Sequence, residues 1–423
     1  MKNTATVENK VVLRPYQVDI SEKTCKLLRD APRFAYLSME VRCGKTFTAL
    51  KALDLVGDIS TVLFVTKKKA ITGIQKDYKA LAPSYRCEFI NYESLHKVDI
   101  DKIDAVVFDE AHSMGAFPKP SNRAKEARDL VFKHNPYVIF LSGTPSPESY
   151  SQLYHQMWVL GGRSPFSESA FYKWAHSYVK IWERMINGFR VNDYSNGIKE
   201  SIMPVVQPYM ISYTQSEAGF TSKVNEHVLM VQMNETTYKI ADKLKKDLVF
   251  EGKSDVILAD TPVKLMQKLH QIYSGTVILE SGNRLVFDNT KAYFIKRRFA
   301  GKRIAVFYKF QAELESLLSV FQEDMTTDLG KFHANECNNF AIQIVTGREG
   351  ISLKEADYLV YYNIDFSATS YWQSRDRLTT MDRLENNVYW IFAEGGIEEK
   401  IYKVVQGKKP YTVSHFKKDL LSL

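Results

Sequence analysis

Short apolar runs that alternate with helix-like stretches constrain the fold of this chain more than any other feature. In the first third of the sequence the runs are FAYLS (34–38), TVLFVT (61–66), CEFIN (87–91), DAVVFDE (104–110) and YVIFLS (137–142). Runs this apolar are typical of strands covered on both faces, as in a parallel sheet between helices. Helix-like sequence follows several of them, such as KTFTALKALDLVG (45–57), whose last residue is a glycine suited to a helix C-cap.

The same alternation returns in the last third of the chain, in RIAVFY (303–308), AIQIVT (341–346), YLVYYN (358–363) and NNVYWIFA (386–393). Residues 150–270 are instead rich in Tyr, Trp and Met, with few β-branched runs, and this favours helices. The predicted fold class is α/β, with two parallel-sheet lobes and a mainly helical insertion or linker between them. The predicted boundaries are 1–150 for the first lobe, 151–285 for the linker and 286–423 for the second lobe.

Composition excludes several classes of protein. A chain of 423 residues is too long for one ordinary core, and 45% hydrophobic with 25% charged residues is typical of a globular protein. The four cysteines lie far apart without a CxxC pair, so neither a zinc site nor a disulfide framework is predicted. Because no run of about 18 apolar residues occurs, we expect a cytosolic protein without membrane contact. The net charge of +8 fits a polyanionic partner, but many proteins with such a charge bind none.

A candidate phosphate loop, residues 38–46 (SMEVRCGKT), follows the run FAYLS and precedes a helix. Gly44 allows the backbone to curl so that successive N–H groups point at phosphate oxygens, and Lys45 can reach the β- and γ-phosphates. The Thr46 hydroxyl can hold Mg²⁺. The template GxxxxGK[ST] has glycine where this chain has Met39, so the match is partial.

A second candidate is the strand DAVVFDEAH (104–112), which ends in two carboxylates. Asp109 is placed to hold Mg²⁺ through its water shell, and Glu110 can orient or deprotonate an attacking water. His112 can link a nucleotide site to the other lobe. An Asp-Glu pair at a solvated strand end is the alternative interpretation. The next predicted strand ends in Ser-Gly-Thr-Pro (142–145), whose hydroxyls lie at the same sheet edge unless this is a plain turn.

Taken together, these motifs resemble those of superfamily 2 helicases, and further segments resemble the Swi/Snf-type ATPase family along nearly the whole chain. The segments are LRPYQ (13–17), VLFVTKKKAITGIQKDY (62–78), INYESL (90–95), PVVQPYMISYTQSEAGFTSKVNEHVLMVQM (204–233), PVKLMQKLHQIYSG (262–275), VTGREGISLKEADYLVYYN (345–363), QSRDR (373–377) and GGIEEKIY (395–402). The resemblance implies two RecA-like lobes that close on one ATP with Mg²⁺. Compact members of this kind are frequent in bacteriophage genomes, although nothing in the composition shows a viral origin.

The resemblance also implies roles for individual residues. Gln17 would read the adenine, Gly350 would allow a tight turn, and Ser352 would face nucleic acid or the interlobe cleft. The implied ATP-binding residues are Arg14, Gln17, Arg42, Cys43, Gly44, Lys45, Thr46, Gly350 and Gln373. The implied catalytic residues are Lys45, Asp109, Glu110, His112, Arg377 and Arg383, with Thr46 and Asp109 on Mg²⁺. The implied nucleic-acid contacts are Lys67, Lys68, Lys69, Tyr92 and Ser352.

Two departures from the family pattern affect these roles. The family has glycine at Arg42, whose side chain would contact nucleotide or, as we favour, point to solvent. The family also carries an arginine at Thr380, usually the finger that completes the ATP site. Either Arg377 acts alone, or Arg375 or Arg383 replaces the missing residue, or hydrolysis is slow. We expect Arg377 to act with help from Arg383.

The function implied by the resemblance is that of an ATP-dependent translocase on double-stranded DNA, with duplex favoured over single strands or RNA. The basic triplet, residues 67–69, follows a predicted strand at its carboxyl end and would contact phosphates, although such triplets are often solvated loops. One alternative is a strand-separating DNA or RNA helicase, which needs a wedge or pin that the sequence does not reveal. Another is a degenerate ATPase that acts as a DNA-binding scaffold. A small-molecule kinase would lack the second α/β block and QSRDR.

Overall fold

The computed structural model describes residues 11–186, 189–219, 223–251, 256–347, 351–378 and 385–407. The chain forms two compact units, residues 1–220 and residues 221–423, called here the first and the second unit. No helix among the described residues is long and apolar enough to cross a membrane. Gly350, Thr380 and Arg383, which the sequence analysis singled out, lie outside the described residues.

The first unit is built around a parallel sheet. Its strands are β1 (Phe34–Met39), β2 (Thr61–Thr66), β3 (Arg86–Asn91), β4 (Ala105–Asp109), β5 (Tyr137–Leu141), β6 (Trp182–Ile186), β7 (Phe189–Asp193) and β8 (Met210–Tyr213). Six of them form one sheet in the order β3-β2-β4-β5-β1-β8, in which every neighbouring pair is parallel. β6 and β7 form a separate antiparallel hairpin.

Helices cover both faces of this sheet. They are α1 (Pro15–Arg29), α2 (Lys45–Val56), α3 (Ile71–Leu81), α4 (Asn122–His134), α5 (Gln152–Trp158), α6 (Phe171–Tyr178) and α7 (Lys199–Val206). Side chains alternate between two hydrophobic cores, since Phe34 and Tyr36 of β1 enter one and Ala35 and Leu37 enter the other. This two-residue period explains why the strands are continuous apolar runs.

The second unit repeats the plan with a different set of elements. Its strands are β9 (Lys223–Val231), β10 (Val249–Glu251), β11 (Val256–Leu258), β12 (Thr276–Ile278), β13 (Arg284–Val286), β14 (Ile304–Tyr308), β15 (Met325–Thr326), β16 (Asn339–Gln343), β17 (Tyr358–Tyr361) and β18 (Glu385–Ala393). Six of them form a parallel sheet in the order β15-β16-β14-β17-β18-β9. Tyr361 and Trp390 lie opposite each other on β17 and β18, and their rings stack with centroids 3.8 Å apart.

The helices of the second unit are α8 (Glu235–Asp247), α9 (Pro262–Ile272), α10 (Thr290–Arg298), α11 (Gln311–Phe321), α12 (Leu329–His333), α13 (Ile344–Gly347), α14 (Ala368–Arg375) and α15 (Glu398–Gln406). A lysine–glutamate pair is completely buried among them, with Lys291 Nζ 2.7 Å from Glu398 Oε1. Such a pair tolerates the loss of neither partner, because the remaining charge would be buried alone.

The predicted fold class is confirmed, because both units are α/β with a parallel sheet. The predicted helical linker differs from what the structure shows. Residues 151–285 do not form a third unit, since the chain divides near residue 220, and the segment contains strands as well as helices. Among them, β8 and β9 are edge strands of the two sheets. Edge strands are partly exposed and carry polar residues, so they lack the continuous apolar pattern of central strands.

Candidate functional site

The phosphate loop lies between β1 and α2, as predicted. Gly44 is the residue before α2 and has φ 75°, in the left-handed region that favours glycine. A Cβ atom at Gly44 would overlap the side-chain amide of Gln17, so any larger residue would displace that amide. Gln17 itself is buried, and its Oε1 accepts a hydrogen bond of 2.9 Å from the Arg14 backbone N–H. The opening motif and the phosphate loop are therefore in contact.

Lys45 folds back over the loop. Its ammonium donates hydrogen bonds to the carbonyl oxygens of Met39 at 2.8 Å and Glu40 at 3.2 Å. The turn at Gly143 packs against the same place, because a Cβ there would lie 3.7 Å from Lys45 Nζ. The structure thus brings the loop lysine and the Ser-Gly-Thr-Pro turn together, around a cation suited to phosphate.

Arg42 has an unusual backbone conformation, and the Cys43 side chain points away from the loop surface into the core. Arg42 has φ 65°, so this arginine occupies a backbone conformation that costs a residue with a Cβ about 1–2 kcal/mol. Cys43 is fully buried in the core, and burial raises the pKa of its thiol to about 11. Any contact of Cys43 with nucleotide is therefore limited to its backbone. Thr46 is the second residue of α2 and is partly exposed.

The segment that leaves the first unit is hydrogen-bonded to the phosphate loop, which sequence reasoning missed. The Glu40 N–H donates to the Tyr213 carbonyl at 2.9 Å. Gln215 donates from its backbone to Glu40 Oε2 at 2.7 Å and from its side chain to the Val41 carbonyl at 3.0 Å. The Tyr213 ring also stacks on Tyr16, with centroids 4.7 Å apart. No local sequence signal marks these contacts, because they depend on β8 pairing with β1.

The acidic strand end lies at the carboxyl edge of the same sheet. Asp109 is the last residue of β4, and its Oδ2 accepts a 2.7 Å hydrogen bond from the Thr66 hydroxyl at the end of β2. Burial, followed by the negative charge of Glu110, raises the pKa of Asp109 to about 6, and Lys45 acts in the opposite direction. A carboxylate with a second carboxylate beside it and hydroxyl oxygens nearby is a donor set that suits a hard divalent cation such as Mg²⁺.

Glu110 and His112 form a connected group with the neighbouring strand end. Glu110 has φ 51° and begins the short 3-10 helix Ala111–Met114. His112 Nδ1 lies 3.2 Å from Glu110 Oε2 and 2.9 Å from Ser142 Oγ, and that hydroxyl accepts a hydrogen bond from the Thr144 N–H. The Thr144 hydroxyl is buried and has no hydrogen-bond partner within the described residues. The imidazole thus connects the acidic strand end to the Ser-Gly-Thr-Pro turn within the first unit.

Tyr92 lies in the core beside the acidic strand end. Its side chain is buried, and its hydroxyl donates a 2.7 Å hydrogen bond to the Asp109 carbonyl. The Arg123 guanidinium lies 5.6 Å from its ring centroid. Tyr92 thus supports the backbone of the acidic strand end from inside the core, and its contact with nucleic acid stays a prediction.

The basic triplet lies at the predicted edge. Lys67 follows the last residue of β2, and Lys68 and Lys69 open the turn that leads into α3. Lys68 and Lys69 are exposed. Lys67 directly follows Thr66, whose hydroxyl is hydrogen-bonded to Asp109. The triplet therefore begins next to the acidic strand end.

In the second unit, the described part of the sixth motif lies on α14 and the turn after it. Arg377 is buried, and its guanidinium donates to the carbonyl oxygens of Gln373 at 3.1 Å and Ile351 at 3.4 Å. Gln373 is buried, and its side-chain oxygen has no hydrogen-bond partner within the described residues. The Ser352 carbonyl accepts a 3.1 Å hydrogen bond from His333. These contacts connect the fifth and sixth motifs within the second unit.

Arg375 is held by Glu226, a residue that sequence reasoning did not single out. Arg375 Nη1 lies 2.6 Å from Glu226 Oε1, and its guanidinium stacks on Trp372 at 4.3 Å. The same carboxylate accepts hydrogen bonds from three further side chains at 2.8–2.9 Å, those of Tyr371, Trp390 and Tyr402. This network joins β9, α14, β18 and α15. Among the candidate arginines, Arg375 is therefore part of a network of side chains that holds the second unit together.

The two parallel sheets, one in each unit and each packed against helices, define the class of the protein as α/β. Within that class, the chain belongs to the SNF2-related domain family, whose model matches residues 45–276. The resemblance predicted from the motifs is confirmed at this level.

Comparison with known proteins adds two findings. No curated protein matches the chain. A solved structure, the Sulfolobus solfataricus SWI2/SNF2 ATPase core in complex with dsDNA, is similar to it with a TM-score of 0.44 and 14% sequence identity. The match covers 99% of this chain and 95% of that one.

Proposed function

We propose that the chain hydrolyses ATP in a DNA-dependent way and uses the reaction to move along double-stranded DNA. The observation that carries the proposal is one sheet edge of the first unit. There the Lys45 ammonium, the Asp109 carboxylate and the group formed by Glu110 and His112 gather around the ends of strands of the same parallel sheet. Open parallel sheets bind their ligands at this carboxyl edge.

Each residue has a separate part in the proposed reaction. The N–H groups before α2 and Lys45 would bind the phosphates, and Gln17 and Arg14, at the start of α1, would bind the base. Thr46 and Asp109 would hold Mg²⁺, which when bound neutralises charge on the phosphates. Glu110 would orient the attacking water and accept its proton, with His112 fixing the position of that carboxylate.

The second unit would supply the remaining groups. We propose Arg377 as the arginine that stabilises charge on the transferred phosphate, with Gly350, Gln373 and Arg383 completing the site. Arg377 now binds two backbone carbonyls, which are weaker partners for a guanidinium than a phosphate is. Lys67, Lys68, Lys69 and Ser352 would bind the nucleic-acid backbone. Family membership and the exposed side chains of Lys68 and Lys69 support a nucleic-acid partner.

The direct test is the rate of ATP hydrolysis without nucleic acid and with blunt duplex DNA, single-stranded DNA or RNA. Duplex DNA should stimulate the rate most. Lys45→Ala should abolish turnover and weaken nucleotide binding, whereas Glu110→Gln should abolish turnover but keep ATP bound, because it removes the proton acceptor and leaves the phosphate contacts. Full activity in Glu110→Gln would overturn the mechanism, and equal rates with and without every nucleic acid would favour a nucleotide-binding scaffold.

Strand separation is a second candidate function, and one observation favours it. The β6–β7 hairpin of the first unit exposes Trp182 and Val191 to solvent, and such a hairpin would serve as the wedge or pin that strand separation needs. Unwinding of a forked duplex in the presence of ATP distinguishes this function from movement on an intact duplex.

A further inference from the structure

The β6–β7 hairpin is a structural feature that the nucleotide site does not use. Among the described residues, its two strands pair with each other and with no other strand. A two-stranded ribbon is marginally stable by itself in water, and its persistence in a folded protein needs support at its base.

That support comes from the segment just after the Ser-Gly-Thr-Pro turn. The Ser149 hydroxyl donates a 2.6 Å hydrogen bond to the Ser195 carbonyl, and the Ser151 hydroxyl donates one of the same length to the Tyr194 carbonyl. Gly197 packs so closely on Ser151 that a Cβ there would lie 2.7 Å from the Ser151 nitrogen. The base of the hairpin is thus fixed to a segment that begins four residues after Pro145, at the nucleotide site.

The two faces of the ribbon differ in chemistry, and both are open to solvent. Trp182 and Val191 share one face, since Trp182 lies opposite Asp193, and their exposed fractions are 60% and 44%. Of the five tryptophans, all of which are described, only Trp182 is exposed. The other face carries Glu183 and Arg190, whose charged groups lie 3.5 Å apart. An exposed indole has a large apolar surface that favours a flat partner.

The charge of the sequence around the hairpin indicates the chemical class of the partner. Residues 173–199 contain five basic residues against two acidic ones, namely Lys173, Lys180, Arg184, Arg190 and Lys199 against Glu183 and Asp193. A segment with net positive charge and an exposed aromatic ring is a combination that suits nucleic acid with unpaired bases. An intact duplex exposes base faces only at its ends, so stacking requires a single strand or a junction.

We propose that the β6–β7 hairpin contacts nucleic acid at a junction between duplex and single strand, with Trp182 stacking on an unpaired base. The inference rests on the proposed function, because it needs a nucleic acid held by the rest of the first unit. Since the base of the hairpin is bonded to the segment after the Ser-Gly-Thr-Pro turn, the contact lies at a fixed place relative to the nucleotide site.

The test compares the affinities of wild-type protein and Trp182→Ala for three labelled DNAs of equal length: blunt duplex, single strand and fork. The loss of one stacked base should weaken binding to the fork and the single strand by about 5- to 100-fold. Affinity for the blunt duplex should change by about twofold or less. Trp182→Phe should recover part of the loss, because it restores a ring. Phe132→Ala, which removes an 88% exposed aromatic from α4 of the same unit, is the matched control and should change nothing.

Three results would overturn the inference. Unchanged fork affinity in Trp182→Ala, or equal losses on all three DNAs, would show that no unpaired base stacks on this ring. A loss of self-association in Trp182→Ala, measured by sedimentation, with unchanged DNA affinity would assign the surface to a second copy of the chain. Wild-type protein whose hydrolysis no DNA stimulates, and which binds none, would overturn the proposed function as well, so the two failures are distinguishable.

Discussion

At the scale of single residues, the phosphate loop shows how a departure from a family pattern is accommodated. The resemblance implies glycine where this chain has Arg42, and Arg42 has φ 65°, in the left-handed region that favours glycine. The loop therefore has the backbone conformation of a glycine at this position although the residue is arginine. The cost is local strain at Arg42.

That strain predicts an inverted order of stability for two variants. At an ordinary position alanine is more stabilising than glycine, because glycine has more freedom in the unfolded chain. At Arg42 the order should reverse, with Arg42→Gly more stable to denaturant than Arg42→Ala by about 1 kcal/mol, since glycine alone relieves the left-handed strain. Both variants lose the same side chain, so their difference isolates the backbone. Equal stability, or a more stable alanine variant, would contradict the assigned conformation.

Tyr92 shows the limit of reasoning from a motif at this scale. Sequence similarity located a tyrosine beside a proposed nucleic-acid segment, but it carried no information on which way the ring points. The ring is in the core, and its hydroxyl supports the Asp109 backbone. Lys45 and Asp109, by contrast, could be placed from the sequence, because a strand followed by a turn leaves little choice of position.

Among the helices and strands, most of the strands that the sequence predicted are buried on both faces. β2 was predicted with its observed bounds, because the apolar residues 62–65 of TVLFVT have threonines on both sides and polar residues beyond them. The predicted run at 341–346 instead ends as a strand at Gln343, and α13 begins at Ile344. The edge strands β8, β9 and β15 and the β6–β7 hairpin were missed, because half-exposed strands mix polar and apolar residues in patterns shared with helices. The edge strand β3 was predicted from the run CEFIN. The contacts of Glu226 depend on four elements distant in sequence and leave no local signal.

The basic triplet makes a prediction at the scale of one loop. Replacing Lys67, Lys68 and Lys69 by alanine should weaken duplex binding at low salt and flatten the dependence of log K on log salt. The slope should fall by about 0.9 for each phosphate that the protein no longer neutralises. Lys125→Ala with Lys133→Ala, which removes exposed lysines from α4, is the control and should leave the slope unchanged. If the triplet variant keeps the wild-type slope, residues 67–69 are a solvated loop.

In the whole molecule, the two α/β units carry different residues of the proposed ATP site. The first unit holds the phosphate loop, the acidic strand end and the basic triplet, and the second holds Arg377. The segment that leaves the first unit is bonded to the phosphate loop through Tyr213 and Gln215. We therefore expect a change in the conformation of the phosphate loop to shift Tyr213 and Gln215, which lie in the segment that leads to the second unit.

ATP-driven movement on duplex DNA can be measured as displacement of a third DNA strand from a triplex. Movement along the duplex removes the third strand without separating the other two. We expect rapid displacement that requires ATP and Mg²⁺, and none by Glu110→Gln, which should bind the same triplex with unchanged affinity. Duplex-stimulated ATP hydrolysis without any displacement of the third strand would contradict the claim.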